Sequence, residues 1–70
     1  MDNIDVRNYI INNFKEDTTE DIEKSITSSI ESKSDDPLIG LGVLFELMWN
    51  NSSNEFRENI LSSIKKGLST

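Results

Sequence analysis

From Leu38 to Trp49 the chain runs twelve residues with one charge, Glu46, and its apolar side chains would cover every face of a helix except the one carrying Gly42 and Glu46. A membrane-spanning helix needs about twenty apolar residues, so this run is too short to cross a bilayer and reads instead as a buried helix. Asp36-Pro37 marks its start: Asp is a good N-cap, and proline is tolerated at the first helical position, where its missing N–H costs nothing. Gly40 and Gly42 each weaken such a helix by about 1 kcal/mol relative to alanine, and close packing against a neighbouring helix is the expected compensation. The rest of the chain must therefore supply neighbours for one apolar helix.

Three amphipathic segments are available. Val6, Ile10 and Phe14 recur at i, i+4 and i+8 with Ile11 beside them, the pattern of a short helix with one apolar face. A second helix opens at Thr18 or Thr19, with Glu20, Asp21 and Glu23 in a first turn where negative charge is favoured. Its stripe, Ile22, Ile26 and Ile30, is flanked by serines, so this helix is expected to be the most weakly held. Asn50 to Asn54 form a polar turn, and Ser52 with Glu55 fits a capping box. The fourth helix then carries Phe56, Ile60 and Ile64, widened by Leu61 and Leu68, with Gly67 as its expected C-cap. The pattern predicts an all-α fold: one domain over residues 1–70, a small bundle of four short helices around a central apolar third helix.

At 70 residues only about 60% of the unfolded chain's surface can be buried, so a single core is marginal without reinforcement. There is no cysteine for a disulfide or thiolate metal site, and no histidine for a zinc ligand or a general base near neutral pH. Packed helices and self-association remain as reinforcements.

The net charge of −6 is the wrong sign for a protein held on nucleic acid or an anionic bilayer by its overall field. Residues 1–36 hold ten acids and four bases, whereas residues 37–70 hold three of each, so the whole excess lies in the first half. A polyanion could be met only by the later segment, where Arg57, Lys65 and Lys66 form the candidate nucleic-acid set. Lys65-Lys66 also complements the dipole of a helix C-terminus. Met1-Asp2-Asn3 lacks the basic and apolar regions of a signal peptide, which leads to the expectation of an intracellular protein.

Candidate chemistry is sparse. Gly40-Leu41-Gly42 lacks the third glycine and the lysine of phosphate-binding loops. Glu31, Asp35 and Asp36 do not have EF-hand spacing, and capping explains the aspartates better. Ser62 and Lys65 share a Ser-x-x-Lys spacing on a polar helix face, which reads as chance. No catalytic residue, cofactor, metal or small-molecule substrate is expected. The pair Glu46 and Trp49, one turn apart, has two readings. Either Trp49 closes the core while Glu46 sees solvent, or Gly42, Glu46 and Trp49 border a patch that meets another subunit, since tryptophan is favoured at interface centres.

The block Gly40-Leu41-Gly42-Val43-Leu44-Phe45-Glu46, followed by Trp49 and Asn51, is similar to the signature of the minor small acid-soluble spore proteins of the SspI type. Val6-Arg7-Asn8, Ile10-Ile11 and Asn13 resemble that family's amino-terminal Leu-Arg-Asn…Asn segment. The second helix is similar in its hydrophobic spacing, and Gly67-Leu68 resembles the family's carboxy-terminal Gly-Leu. The family carries proline immediately before the first glycine, where this chain has Ile39 and places its only proline at Pro37. The resemblance implies a sporulation protein made in the forespore and kept in the spore core, with no established enzymatic activity. It does not imply the DNA coating performed by the α/β-type spore proteins. The leading expectation is thus a non-enzymatic protein that associates with itself or with another spore-core protein. A DNA-associated protein is the alternative, and an amino-acid reserve degraded at germination is a third reading.

Overall fold

The computed structural model describes residues 5–69 and is all-α; Met1, Asp2 and Asn3, on which the targeting expectation rests, lie outside the described residues. The helices are α1 (Val6–Phe14), α2 (Thr19–Glu31), α3 (Leu38–Asn50) and α4 (Asn54–Leu68), joined by short turns, and α1 and α2 both pack on α3.

Polar side chains set the helix starts. Asp5 caps α1, accepting from the Asn8 N–H at 3.2 Å and from the Asn8 side-chain amide at 2.7 Å. Thr18 caps α2 by accepting from the Asp21 N–H, as the sequence predicts, with Glu20 and Asp21 in the first turn. The cap of α4 falls one residue later than the capping-box pattern predicts: Ser53 accepts from the Phe56 N–H, while the Ser52 hydroxyl turns back and donates to the Met48 carbonyl. Ser52 is thus recruited to finish α3 rather than to start α4.

Two other boundaries are corrected. Asp36 does not cap α3; its own N–H donates to the Ser34 hydroxyl, Leu38 N–H bonds the Asp35 carbonyl, and Pro37 stands as an N-cap without a side-chain bond. The serine-rich connection knits itself instead, which withdraws Asp36 from the helix. At the other end, α4 runs through Gly67, and Ser69 becomes the C-cap. The left-handed position that ends a helix occurs after α2, at Lys33 with φ 61°, where a glycine would avoid the steric cost.

The expectation that α3 is surrounded by the other helices is not met. Among the described residues Val43 alone is buried, while α3 leaves Leu38, Ile39, Phe45, Leu47 and Met48 exposed. Ile10, Ile11 and Phe14 of α1, Ile22 and Ile26 of α2, and Ile60 of α4 are half-buried. Ile30 is exposed on α2, but Phe56, Leu61, Ile64 and Leu68 are all exposed on α4, so α4 and not α2 is the helix packed least, contrary to the sequence expectation. The accessible surface, 5912 Å², is about a third larger than the roughly 4,450 Å² that surface scaling gives a folded monomer of 8.0 kDa. The radius of gyration, 13.7 Å, likewise exceeds the roughly 11 Å of a compact chain this long. Three helices with one narrow apolar stripe each have too little apolar width to enclose a fourth that is apolar on most faces.

The glycines follow from the same openness. A Cβ built at Gly40 or Gly42 would meet nothing within 4 Å, so no helix of this chain approaches them closely, contrary to the sequence expectation. Gly40→Ala and Gly42→Ala should therefore each raise the stability of the isolated chain by about 0.5–1 kcal/mol through helix propensity. Urea denaturation of the two variants tests this, and a loss of stability would show an unsuspected close approach.

Candidate functional site

The one charge of α3 has a partner that its own sequence neighbourhood does not reveal. Arg7, in the first turn of α1, donates from Nε to Glu46 Oε1 at 2.8 Å and from Nη2 to Glu46 Oε2 at 2.9 Å. This two-pronged geometry matches a planar guanidinium to a planar carboxylate and so fixes the orientation of α1 on α3 as well as its distance. Hydrogen bonding to Arg7 outweighs an opposing desolvation and, with a lesser contribution from the guanidinium's charge, holds the Glu46 carboxyl below the ordinary carboxylate range. The same hydrogen bond raises Arg7. Both side chains remain largely in water, so the pair is open to screening by salt. Beside it Val6, Ile39, Gly42 and Val43 line a shallow hollow of about 240 Å³ between α1 and α3.

A second constellation closes the far end of α3. Phe45 and Trp49 stack one turn apart, with ring centroids 5.9 Å apart and planes inclined by 20°. The Arg57 guanidinium of α4 lies over the Trp49 ring, 5.1 Å from its centroid, and Arg57 Nε donates to the Trp49 carbonyl at 2.9 Å. That carbonyl belongs to the last turn of α3, where helix geometry leaves acceptors without intrahelical donors and a cation complements the dipole. The Asn51 side-chain amide supplies the Leu47 carbonyl at 2.7 Å, and Ser52 supplies Met48. The end of α3 is thus capped from the turn and from α4 together.

The sequence-derived candidates divide between these two places. Glu46 borders both, Gly42 lies on the α1 side with Arg7, and Trp49 lies on the α4 side with Phe45, Asn50 and Leu61 around a hollow of about 260 Å³. Of the candidate nucleic-acid set, Arg57 is half-buried against Trp49, while Lys65 and Lys66 are exposed in the last turn of α4, about two helical turns further on. Gly40-Leu41-Gly42 lies within α3 and forms no loop, and among the described residues no group of three or more acidic side chains is placed to hold a metal ion. No helix among them is long and apolar enough to cross a membrane.

Sequence reasoning missed Arg7, although a signal was present: it shares a face with Ile10, Ile11 and Phe14 at helical spacing, and it can meet the only charge of the apolar helix. It also missed the groove between α2 and α3, about 430 Å³, where Ile22 and Ile26 face Leu41, Leu44 and Met48. The apolar residues were legible, but the gap between them was not.

Two outcomes follow from these contacts. Because the Glu46 carboxyl is depressed in the folded chain, pairing adds stability above the unfolded value of about 4.3 and loses it as pH falls through the lower folded value. The stability difference between wild type and Glu46→Gln should therefore be present at neutral pH and vanish in acid, as chemical denaturation across pH would read; a pH-independent difference would refute the pairing. Arg57→Met should cost on the order of 1–2 kcal/mol, with Arg57→Lys recovering only part, because the ammonium keeps the charge without the fork. Fluorescence of Trp49, the chain's only tryptophan, reports both unfolding transitions.

Comparison with known proteins places the chain in a family. The chain matches the family described as small, acid-soluble spore protein I over residues 4–68. It is similar to the small, acid-soluble spore protein I of Bacillus cytotoxicus, 32% identical over 66 residues that cover 94% of each chain. The Geobacillus sp. protein of that name is 32% identical over 93% of this chain and 92% of its own. The one from Shouchella clausii is 33% identical over 90% and 91% respectively. No solved structure matches. With the family matched along nearly its whole length, the chain belongs to the small, acid-soluble spore protein I family.

Proposed function

We propose that this protein is a non-enzymatic component of the spore core, made in the forespore, that works by association, its apolar surface completed by another protein surface. The observation that carries the reading is the exposure of α3: Leu38, Ile39, Phe45, Leu47 and Met48 stand in water while Val43 alone is buried among the described residues. Apolar surface on this scale, in a chain whose area exceeds that of a folded monomer of its mass, is the usual mark of an interface. Enzymatic work finds no support in the side chains, which offer hydroxyls and carboxylates without a histidine or cysteine to activate them.

The DNA-associated alternative is disfavoured by a net charge of −6 and by the engagement of Arg57 with Trp49, which leaves Lys65 and Lys66 as its main contacts. Sedimentation equilibrium from micromolar to millimolar concentration tests the association reading. The expected result is a mass rising above 8.0 kDa together with a melting temperature that increases with concentration. A strict monomer with a high, concentration-independent melting temperature would overturn self-association. Binding to duplex DNA that weakens steeply with salt would put the alternative in its place.

A further inference from the structure

We propose that the completing surface is a second copy of this chain, with α4 of each protomer seated in the groove between α2 and α3 of the other. This rests on the association reading and specifies its partner and contact. The groove is walled by α2 and α3 alone, with Ile22 and Ile26 facing Leu41, Leu44 and Met48 across about 430 Å³. The chain's own α4 cannot supply that cover without leaving its anchor, because Arg57 binds its first turns to Trp49 at the other end of the exposed Phe45.

On α4 itself, Leu61, Ile64 and Leu68 repeat at the three- and four-residue spacing of a seam, and they are 53%, 43% and 76% exposed. The stripe on α3, exposed Leu38, Phe45 and Met48 with half-buried Leu41, has the same three-four spacing, the geometry in which two helices interlock side by side. Each protomer thus carries one apolar ridge and one apolar groove.

Charge selects the pairing of ridge with groove over ridge with ridge. Along α2, Glu20, Asp21, Glu23 and Glu31 stand against Lys24 alone, and α3 adds only Glu46. The α4 helix carries Arg57, Lys65 and Lys66 against Glu55 and Glu58. The acids Glu20, Glu23 and Glu31 line the other side of α2 and the groove itself is apolar, so the preference is one between whole helices. Two α4 helices are alike in sign, with three bases against two acids each, whereas α4 beside α2 meets four acids against one base. Area agrees: the excess over a compact monomer, roughly 1,450 Å², lies within the 1,000–2,500 Å² per partner of obligate dimers. Because each copy both gives and receives a helix, a two-fold axis closes the assembly at two copies and no open fibre follows.

Isotope-filtered NOE spectra of a mixed labelled and unlabelled sample test the contact directly in the wild-type chain. Intermolecular NOEs should join the methyls of Leu61, Ile64 and Leu68 to those of Ile22, Ile26 and Leu41. Leu68→Glu alters a side chain already in water, so the monomer should keep its circular dichroism while dimer dissociation rises roughly tenfold or more; Tyr9→Glu, on the exposed side of α1, should leave dissociation unchanged. A dimer whose filtered contacts join α4 to α4, or that withstands Leu68→Glu, would overturn this arrangement and leave the association reading standing. A strict monomer at all concentrations would overturn both.

Discussion

A helix with apolar side chains on most of its faces needs neighbours on most of its faces, and in this chain α3 receives α1 and α2 closely while α4 is tied to its end. The shortage is one of apolar width, since each neighbour carries a single stripe interrupted by asparagine, serine or acid. Val43, at the level where α1 meets α3, is the point at which coverage is complete. Moving outward along α3 in either direction, the side chains emerge into water.

The two polar constellations make up in orientation what the apolar contacts lack in area. Apolar burial is non-directional and would let a short helix such as α1 slide on α3, but the paired hydrogen bonds between Arg7 and Glu46 fix its register. Arg57 does the corresponding work for α4 by joining a backbone acceptor and an aromatic face of Trp49 with one side chain. The α2 helix has no comparable tie among the described interactions and depends on Ile22 and Ile26, with the hydroxyls of Ser32 and Ser34 stiffening its exit. These fastenings position the helices without closing the core, so the apolar face of α3 is held out in a defined shape. Exposed apolar area of that kind is the form that interaction surfaces take.

Much of the fold was legible in the residues. The periodicity of Val6, Ile10 and Phe14, the cap at Thr18 and the apolar run from Leu38 each located a helix, because these signals act within a turn or two of the chain. The boundaries that differed did so through competition for hydrogen bonds. Ser52 finds a better acceptor at Met48 than the donor it would have met in α4, and Asp36 is held by Ser34. Gly40 and Gly42 misled because a glycine states what backbone it permits and not whether a neighbour uses the space. The candidate patch of Gly42, Glu46 and Trp49 was partly legible: its members are on α3 as expected, but they serve two hollows, with Glu46 between them.

By itself, the sequence determined that the chain is all-helical, where its apolar stripes run, that its acids crowd the first half and that histidine and cysteine chemistry is absent. Those properties are local or compositional, set by spacing along a helix and by residue type. Tertiary structure alone decided that Arg7 meets Glu46 across 39 positions, that Arg57 turns inward to Trp49, and that α3 stays open along the α2 groove. Each of these depends on how wide an apolar stripe is when measured against the surface it must cover, a comparison between helices that no single segment contains.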